Sequence, residues 1–462
     1  MDKQFKFFLF MMVSAVVSLS MTACDDDDDN EESPSQNVVE LAQGNNDLSS
    51  LEAALGKFPD LVSTLSGSGE VTVFAPNNAA FENLLEAVGQ TSLDDIPEDV
   101  LREVLEYHVV SGVTLSNQLS NGEVTTVGGE NITVSTSGGV SLNGSVSVIT
   151  ADVRASNGVV HVIDEVLVPP SIQPIVGTIV APAYFNKNFT TLIAAVKAAS
   201  PAILTALLSP ENKTLFAPTN DAFAAAGITT LPDQATLDAV LTYHVIGSEV
   251  TSSQIASGAS VAETLNGNIY LSKNSNGVFI NGTSKVTTAD IDGSNGVVHV
   301  IDRTLLPPSE TIAQIATRLS SADPAQFTQL VAALARTQGQ GANDLLAAAS
   351  SATGDLTVFA PTDAAFQELY TALGVSSVDE IPLATLINVL KHHIVPARVF
   401  STDLSSGPVT GLNGDVTVDL TANPPTVTGS SGDTNVAELQ TSLLDIHASN
   451  GVIHVIDNVL LP

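Results

Sequence analysis

The 462-residue chain contains no tryptophan and only one cysteine, and aromatic residues make up 5% of it. A single cysteine has no partner within the chain, so each folded unit must be held by an apolar core without a disulfide. With so few aromatic rings, base-stacking platforms and aromatic sugar-binding strips are difficult to build. Only 15 basic residues stand against 50 acidic ones, a net charge of −35. Recognition of a polyanion requires clustered lysine and arginine, so we predict no nucleic-acid partner.

The motifs of common enzyme classes are also missing. The sequence has no Gly-x-Ser-x-Gly elbow, His-Glu-x-x-His helix, Walker loop or Gly-x-Gly-x-x-Gly turn. The segment 290–295 imitates a calcium loop, but the middle ligand position differs among the three copies of the segment and no glutamate closes it. A hairpin turn is the better interpretation of this segment. We predict that the protein is not an enzyme and has no catalytic residue, no cofactor and no bound metal.

The dominant feature of the chain is a threefold internal repeat. Two sets of near-identical segments recur in the same order about every 140 residues, which is the length of a whole globular domain. The first set is VTVFAPNNAAF from Val71, KTLFAPTNDAF from Lys213 and LTVFAPTDAAF from Leu356; the second is SNGVVHVIDEVLVP from Ser156, SNGVVHVIDRTLLP from Ser294 and SNGVIHVIDNVLLP from Ser449. We predict domains at residues 37–170, 171–308 and 309–462, after a signal peptide at residues 1–23 and an acidic tether at residues 24–36.

The first residues are typical of a targeting segment. Lys3 and Lys6 precede an almost unbroken apolar run over residues 7–19, and Met21-Thr22-Ala23 leads into Cys24. A run this short, ending in small residues, indicates a secretory signal. The cysteine at its end resembles the lipobox of bacterial lipoproteins, although Met21 stands where the usual pattern has leucine. We predict lipid attachment at Cys24; the alternative is a free thiol beside an ordinary cleavage site.

An acidic run follows this cysteine directly. Adjacent carboxylates repel one another and remain solvated, which predicts an extended tether. The run also resembles the export tag of Bacteroidota surface lipoproteins, which would place the protein on the outer membrane facing the cell exterior; a plain spacer is the alternative. The residues of this candidate tag are Asp25, Asp26, Asp27, Asp28 and Asp29.

Each repeat combines helical and strand patterns. Leu101, Val104, Leu105, His108 and Val109 fall at i, i+3, i+4, i+7 and i+8, which predicts an apolar helix face that includes a histidine. The back half of each repeat alternates apolar and polar residues between glycine, asparagine and serine turns, as strands do. Helices before strands indicate an α+β domain. The residues expected to cap the helix after each Phe-Ala-Pro segment are Asn77, Thr219 and Thr362, and the turn glycines expected to take positive φ are Gly158, Gly296 and Gly451.

Six of the eight histidines occupy two equivalent positions in each repeat. A metal-binding or catalytic role is one interpretation. By periodicity both positions face the core, and a buried neutral histidine hydrogen-bonded to a neighbour also explains the repetition. We favour the structural role, so that His108→Ala destabilises the first domain without changing any metal content. The first set is His108, His244 and His393, and the second is His161, His299 and His454.

Together these segments resemble the fasciclin (FAS1) domain. The Phe-Ala-Pro-Thr segment, the Tyr107-His108 and Tyr243-His244 pairs and the Asn-Gly-Val-Val-His-Val-Ile-Asp segment correspond to its first box, central Tyr-His motif and second box. The third repeat departs by having His392 in place of the tyrosine. The resemblance implies an α+β fold of three tandem fasciclin-like domains. In each, we expect a curved, mostly antiparallel sheet, as a wedge or sandwich, with packed helices.

The resemblance also implies a role in cell adhesion. Fasciclin domains are mostly extracellular, often in tandem, and linked to contact with matrix or cell surfaces. The integrin motifs Asn-Lys-Asp-Ile-Leu, Glu-Pro-Asp-Ile-Met and Arg-Gly-Asp are absent, so nothing supports an integrin partner. We therefore predict a lipoprotein held to the membrane by its N-terminal lipid, which contacts a cell-surface or matrix component or other copies of itself. The alternative is a lipoprotein that captures a glycan or an apolar small molecule.

Overall fold

The computed structural model describes residues 34–430 and 436–462, which form three consecutive domains of the same design. In domain 1 three short helices precede the first strand, two longer helices follow it, and strands complete the unit. Its elements are α1 (Val38–Gln43), α2 (Ser49–Leu55), α3 (Pro59–Leu65), β1 (Val71–Pro76), α4 (Asn78–Ala87), α5 (Glu98–Tyr107), β2 (Val109–Ser111), β3 (Gly122–Thr125), β4 (Asn131–Ser135), β5 (Ser141–Leu142), β6 (Val146–Ala155) and β7 (Gly158–Ile163).

Domain 2 repeats this order of elements, and domain 3 does so with one additional strand. Domain 2 comprises α6 (Ala181–Tyr184), α7 (Thr190–Ala198), α8 (Pro201–Leu208), β8 (Lys213–Pro218), α9 (Asn220–Ala225), α10 (Gln234–Tyr243), β9 (Val245–Ile246), β10 (Gly258–Thr264), β11 (Gly267–Asn274), β12 (Gly277–Ile280), β13 (Ser284–Gly293) and β14 (Gly296–Ile301). Domain 3 comprises α11 (Ile312–Ser320), α12 (Thr328–Ala335), α13 (Leu345–Ser350), β15 (Leu356–Pro361), α14 (Asp363–Leu373), α15 (Leu383–His392), β16 (Ile394–Val395), β17 (Gly407–Gly411), β18 (Gly414–Asp419), β19 (Thr426–Thr428), β20 (Val436–Glu438), β21 (Ile446–Ala448) and β22 (Gly451–Ile456).

The sheets confirm the predicted α+β class and its mostly antiparallel pairing. Domain 1 has one seven-stranded sheet in the order β2-β1-β7-β6-β5-β4-β3, and domain 2 closes the same arrangement into a barrel. In domain 3 the strands form two four-stranded sheets, β16-β15-β22-β21 and β17-β18-β19-β20. The parallel pairs join the first strand of each domain to its last strand: β1 with β7, β8 with β14 and β15 with β22.

The helix starts after these first strands follow the sequence prediction. The Asn77 side chain accepts a hydrogen bond from the Ala80 N–H, which satisfies one of the free donors of the first helical turn. Thr219 and Thr362 cap their helices in the same way. The first turn of each of these two helices also contains an aspartate, Asp221 in α9 and Asp363 in α14.

The three turn glycines are needed for a different reason from the predicted positive φ. Only Gly296 has a clearly positive φ, at 139°. Glycine is required at these positions because the first strand passes close by. A Cβ at Gly158 would lie 2.2 Å from the Val71 carbonyl oxygen, and one at Gly451 would lie 2.1 Å from that of Leu356.

Each domain buries apolar side chains on two sides of its sheet. In domain 1 the helices cover one side, and the strands curve around a second cluster that includes Phe74, Tyr107 and Ile132. The corresponding clusters of domains 2 and 3 contain Phe216 and Phe359. No single helix within residues 34–430 and 436–462 is both long and apolar enough to cross a membrane; only the bent pair Lys187–Ala198 and Pro201–Leu208 meets that criterion jointly.

Domains 1 and 2 are packed directly against each other. Their helix-side cores form one contiguous apolar cluster. At the contact the Gln90 side chain donates to the Pro182 carbonyl oxygen at 3.1 Å and accepts from the Asn186 amide at 3.1 Å. Lys187 adds a backbone hydrogen bond to the Asp95 carbonyl oxygen at 2.7 Å. The sequence repeat did not indicate this shared core.

Candidate functional site

The first repeated histidine ends helix α5 and ties it to the segment after the last strand. The His108 Nε2 accepts from the Leu167 N–H at 2.8 Å, so the ring proton is on Nδ1, which donates to the Val104 carbonyl oxygen at 2.7 Å. Burial lowers the pKa of His108 to about 4, and the neutral ring has no unused nitrogen for a metal ion. The same two bonds form in the other domains. The His244 ring donates to the Val240 carbonyl oxygen at 2.7 Å and accepts from the Leu305 N–H at 2.9 Å. The His393 ring donates to the Val389 carbonyl oxygen at 2.8 Å and accepts from the Leu460 N–H at 2.8 Å.

The tyrosine beside this histidine lies in the core. Tyr107 is 1% exposed, and its hydroxyl donates to the Asn131 carbonyl oxygen at 2.7 Å and accepts from the Asn143 amide at 3.0 Å. In domain 3, His392 makes an equivalent pair of bonds, because Nδ1 donates to the Asn413 carbonyl oxygen and Nε2 accepts from the Ser430 N–H. The replacement of tyrosine by His392 in the third repeat therefore keeps two hydrogen bonds at this position. In domain 2 the Tyr243 hydroxyl donates to the Asn268 carbonyl oxygen at 2.8 Å and accepts from the Asn281 amide at 3.2 Å.

The second repeated histidine lies on the last strand against an aromatic ring. His161 stacks on Phe74 with ring centroids 5.6 Å apart. Its Nδ1 accepts from the Asp152 N–H at 3.3 Å, so Nε2 carries the proton and donates to the Thr114 carbonyl oxygen at 2.9 Å. In domain 2 the His299 ring donates to the Val250 carbonyl oxygen at 2.9 Å and accepts from the Asp290 N–H at 3.2 Å. In domain 3 the His454 ring donates to the Val399 carbonyl oxygen at 2.9 Å and accepts from the Asp445 N–H at 3.3 Å.

Each of these histidines belongs to a repeated Ser-Asp-His cluster. The Asp152 carboxylate accepts from the backbone N–H of Ser116 at 2.7 Å and from its hydroxyl, and these bonds lower the pKa of Asp152. Asp152 also adopts the left-handed conformation, with φ 61°. A nucleophilic serine needs a histidine as base, whereas here the hydroxyl donates to the carboxylate and both ring nitrogens of His161 bond to backbone. The same aspartate–serine bonds recur as Asp290 with Ser252 and Asp445 with Ser401.

A buried asparagine in the Ser-Asn-Gly turn is a structural residue that the sequence analysis missed. The Asn157 side chain accepts from the Val38 N–H at 3.0 Å and donates to the Leu65 and Gly67 carbonyl oxygens at 2.7 and 2.8 Å. It thereby joins the start of α1 and the end of α3 to the last turn of the sheet. Asn295 and Asn450 occupy the same place. The identical asparagine in all three repeats was the available signal.

The predicted site residues thus form separate internal networks in each domain. Within residues 34–430 and 436–462, no group of three or more histidine, cysteine, aspartate or glutamate side chains is placed to hold a metal ion. The candidate lipidation residue Cys24 and the candidate export tag Asp25–Asp29 lie outside the described residues.

One open cleft in domain 1 is large enough for a small ligand. It has a volume of about 670 Å³ and lies between helix α4, the turn before β6 and the segment that leads to domain 2. Leu84, Val146 and Val166 form an apolar floor, and Asn83 and Glu165 are polar residues of its lining. A mixed lining of this kind is typical of ligand sites.

Domain 3 contains a second, much smaller space inside its core. This apolar cavity measures about 20 Å³ and is lined by side chains of the helices and of β15, including Ala349 and Leu345. The Asn450 amide donates to the Ala349 carbonyl oxygen, as Asn157 does to that of Leu65, so Ala349 stands where domain 1 has leucine. A missing leucine side chain accounts for the cavity, which is close to the volume needed by one water molecule.

Comparison with known proteins gives consistent matches. The family model of the fasciclin domain matches residues 46–169, 187–307 and 325–462. Periostin from Homo sapiens is 27% identical over 446 residues, which cover 92% of this chain and 47% of periostin. Protein sll1483 from Synechocystis is 44% identical over 133 residues, covering 29% of this chain and 73% of that protein.

Among solved structures, a FAS1 domain pair from the insect cell adhesion molecule fasciclin I matches with a TM-score of 0.29 and 19% identity. The match covers 60% of this chain and 97% of that structure. The chain spans about half the length of periostin.

Proposed function

This chain belongs to the fasciclin domain family, and we propose that it is a surface-anchored adhesion lipoprotein that contacts a cell-surface or matrix component. The observation that carries the proposal is the commitment of the repeated polar residues to the fold. The histidines and aspartates that recur in every domain, and the tyrosine that domains 1 and 2 share, are bonded internally, which leaves the outer surfaces for function. Three linked domains also strengthen weak contacts through effective concentration.

The charge of the chain restricts the partner. A net charge of −35 favours a cationic surface, or an anionic one bridged by divalent cations. Attachment to a cationic partner should weaken as salt is raised from 0.05 to about 0.5 M, because screening shortens the reach of exposed charges. If bridging by divalent cations dominates, a chelator should abolish attachment at constant ionic strength.

Surface display forms part of the proposal and has its own test. A Cys24→Ser variant should no longer incorporate a labelled fatty acid and should be released from the membrane. Replacing the candidate tag Asp25–Asp29 with asparagines should retain the lipid but lose cleavage by protease added to whole cells. Equal cleavage of this variant and the parent would remove the export-tag interpretation and leave the lipid anchor standing.

Adhesion itself is tested with cells and with purified protein. Deletion of the gene should reduce aggregation or surface attachment, and restoring the Cys24→Ser form should not rescue it, because that protein is not displayed. Beads coated with the full chain should bind cells or matrix, whereas beads coated with the heat-unfolded chain should not. If deletion leaves attachment unchanged and native beads do not bind, adhesion is wrong.

The second candidate is ligand capture, which the domain 1 cleft favours. A short glycan or peptide that fills the cleft should raise the unfolding temperature of the full chain. Ala87 lines the cleft from helix α4 and is exposed, so Ala87→Trp should block it with little effect on the core. A stabilising ligand that is unaffected by Ala87→Trp binds elsewhere, and a panel without any stabilising ligand argues against capture.

A further inference from the structure

Domains 2 and 3 meet through a cluster of four aromatic and cationic side chains. Tyr270 on β11 comes from domain 2, and Arg398, Phe400 and His447 come from domain 3. The Arg398 guanidinium lies 4.5 Å from the centre of the Tyr270 ring, which is a cation–π contact. The ring centroids of His447 lie 5.9 Å from Tyr270 and 5.5 Å from Phe400, both edge-to-face.

The rest of this junction is tightly fitted. A Cβ at Gly282 in domain 2 would lie 2.7 Å from both the Asp445 Cγ and the Phe400 Cδ1 of domain 3. The Ser272 hydroxyl donates to the Asp403 carboxylate at 2.5 Å. The two domains therefore touch through both polar and apolar contacts.

The cluster is particular to this junction, because the repeats carry different residues at the same places. The counterparts in domains 1 and 2 are Val113 and Glu249 for Arg398, Leu115 and Thr251 for Phe400, and Arg154 and Asp292 for His447. The counterparts of Tyr270 in domains 1 and 3 are Thr133 and Thr417. The domain 2–3 contact therefore depends on residues that the common fold does not require.

His447 is half-buried there, and one of its ring nitrogens is buried without a hydrogen bond. Its Nε2 has no hydrogen-bond partner. The Asp445 carboxylate, two residues earlier, already accepts from the backbone and hydroxyl of Ser401. A proton added to His447 would thus place a second cation beside Arg398, in a position with an unpaired polar atom.

We propose that the contact between domains 2 and 3 is an acid-sensitive clasp, closed at neutral pH and opened when His447 takes up a proton. The clasp would alter the relative placement of domain 3 in an acidifying environment. This proposal is independent of which partner the protein binds.

The direction of the effect follows from linkage. Burial and the neighbouring Arg398 charge lower the pKa of His447 from 6.5 to about 3 in the closed form. Separation removes the part of this burial that domain 2 provides, while Arg398 stays beside His447, so the pKa of His447 is higher in the open form than in the closed form. The contribution to closure is therefore complete above the pKa of the open form and is lost as the pH falls towards 3. The open-to-closed ratio should rise by up to about tenfold for each pH unit between the two pKa values.

Other charged and titratable groups face the clasp. Burial raises the pKa of Asp403, so its protonation favours the closed form and opposes the effect of His447. Burial raises the pKa of Tyr270, and burial lowers that of His454 behind Asp445. Asp355 faces the cluster as well, through a 2.9 Å bond to the Arg398 Nε. The variants His447→Gln and Asp403→Asn therefore separate the contribution of His447 from that of Asp403.

The first test measures the proton affinity of His447 in the full chain. With ¹³C-labelled histidine, its resonance, assigned with His447→Gln, should titrate with a midpoint well below pH 6.5, because the closed form binds the proton weakly. Gly282→Leu should force the domains apart and raise the midpoint of this titration above that of the parent chain. The matched control is Gly144→Leu, since Gly144 occupies the same turn in domain 1, has φ 86° and meets no atom within 4 Å. Titration of His447 near pH 6.5 in the parent chain overturns the proposal.

The second test measures opening directly. Spin labels on cysteines at Val261 in domain 2 and Leu420 in domain 3, both exposed, report the distance between domains in a Cys24→Ser chain. The distance distribution should be narrow at pH 7.5, gain a broad component at pH 5 and stay narrow in His447→Gln. Asp403→Asn should leave this change intact. Identical distributions at both pH values, or broadening that persists in His447→Gln while circular dichroism shows folded domains, overturns the clasp.

Discussion

Acidification should destabilise domain 1 through His108. The ring is neutral in the folded domain because burial lowers its pKa to about 4, whereas the unfolded chain has the ordinary value of 6.5. The unfolded state therefore binds more protons, and the stabilisation is fully present above about pH 6.5 and lost as the pH falls towards 4. At 1.36 kcal/mol per pKa unit, the complete loss is about 3 kcal/mol, of which roughly 2.5 kcal/mol falls between pH 7.5 and 4.5.

The matched variant is His108→Gln. A glutamine amide can donate to the Val104 carbonyl oxygen and accept from the Leu167 N–H, which are the two bonds of the histidine, but it does not titrate. The free energy of unfolding in urea at pH 7.5 and 4.5, followed by circular dichroism and by hydrogen exchange in domain 1 peptides, gives the pH dependence of both proteins. The variant should lose about 2.5 kcal/mol less than the parent over this range.

The shared core of domains 1 and 2 affects the size of the pH dependence that both proteins show. If the two domains unfold together, His244, whose pKa burial also lowers to about 4, contributes a second equal loss in both proteins. The difference between parent and His108→Gln remains the same. Equal pH dependence in the two proteins would show that His108 has the same pKa in the folded and unfolded states, and the assignment of a buried, neutral ring would be wrong.

Four further substitutions test the packing of the domains. Ala349→Leu should fill the domain 3 cavity and raise its free energy of unfolding by about 1 kcal/mol, while Leu65→Ala should lower that of domain 1 by about 3 kcal/mol; urea unfolding with domain-resolved hydrogen exchange measures both, and a destabilising Ala349→Leu would contradict the cavity's origin. Gly158→Ala should cost about 3 kcal/mol or more, because the Val71 oxygen blocks its Cβ, and a midpoint unchanged in urea would refute that contact. Asn157→Ala should cost about 2–4 kcal/mol by leaving buried backbone groups unpaired, and retained amide protection at the start of α1 would contradict this.

The sequence predicted the repetition and the local elements well, because both are written in short-range patterns. The spacing of Leu101, Val104 and Leu105 predicted helix α5, and Asn77 predicted the start of α4. Strand pairing is a different kind of information. Periodicity cannot tell that β1 lies beside β7, since nothing local marks a partner so far along the chain.

The internal networks were predicted only in part, for the same reason. Repetition identified His108 and His161 and favoured buried roles, which agrees with their bonding in the structure. The partners of His161, however, include Asp152 and Thr114, which come from different segments of the domain. The contact of His447 with Tyr270 joins two domains and leaves no trace in a repeat pattern, because it depends on residues that differ between the copies.

Under the export proposed above, the parallel pairing of each first strand with its last strand would determine when a domain can fold. A polypeptide that leaves a secretion channel from its N-terminus delivers β1 long before β7, so the central position beside β1 stays empty until nearly the whole domain has emerged. Each domain should therefore remain translocation-competent until its final segment arrives and should then close in a single late step. Mutations that weaken β7, β14 or β22 should expose the protein to proteases during secretion more than in the finished fold.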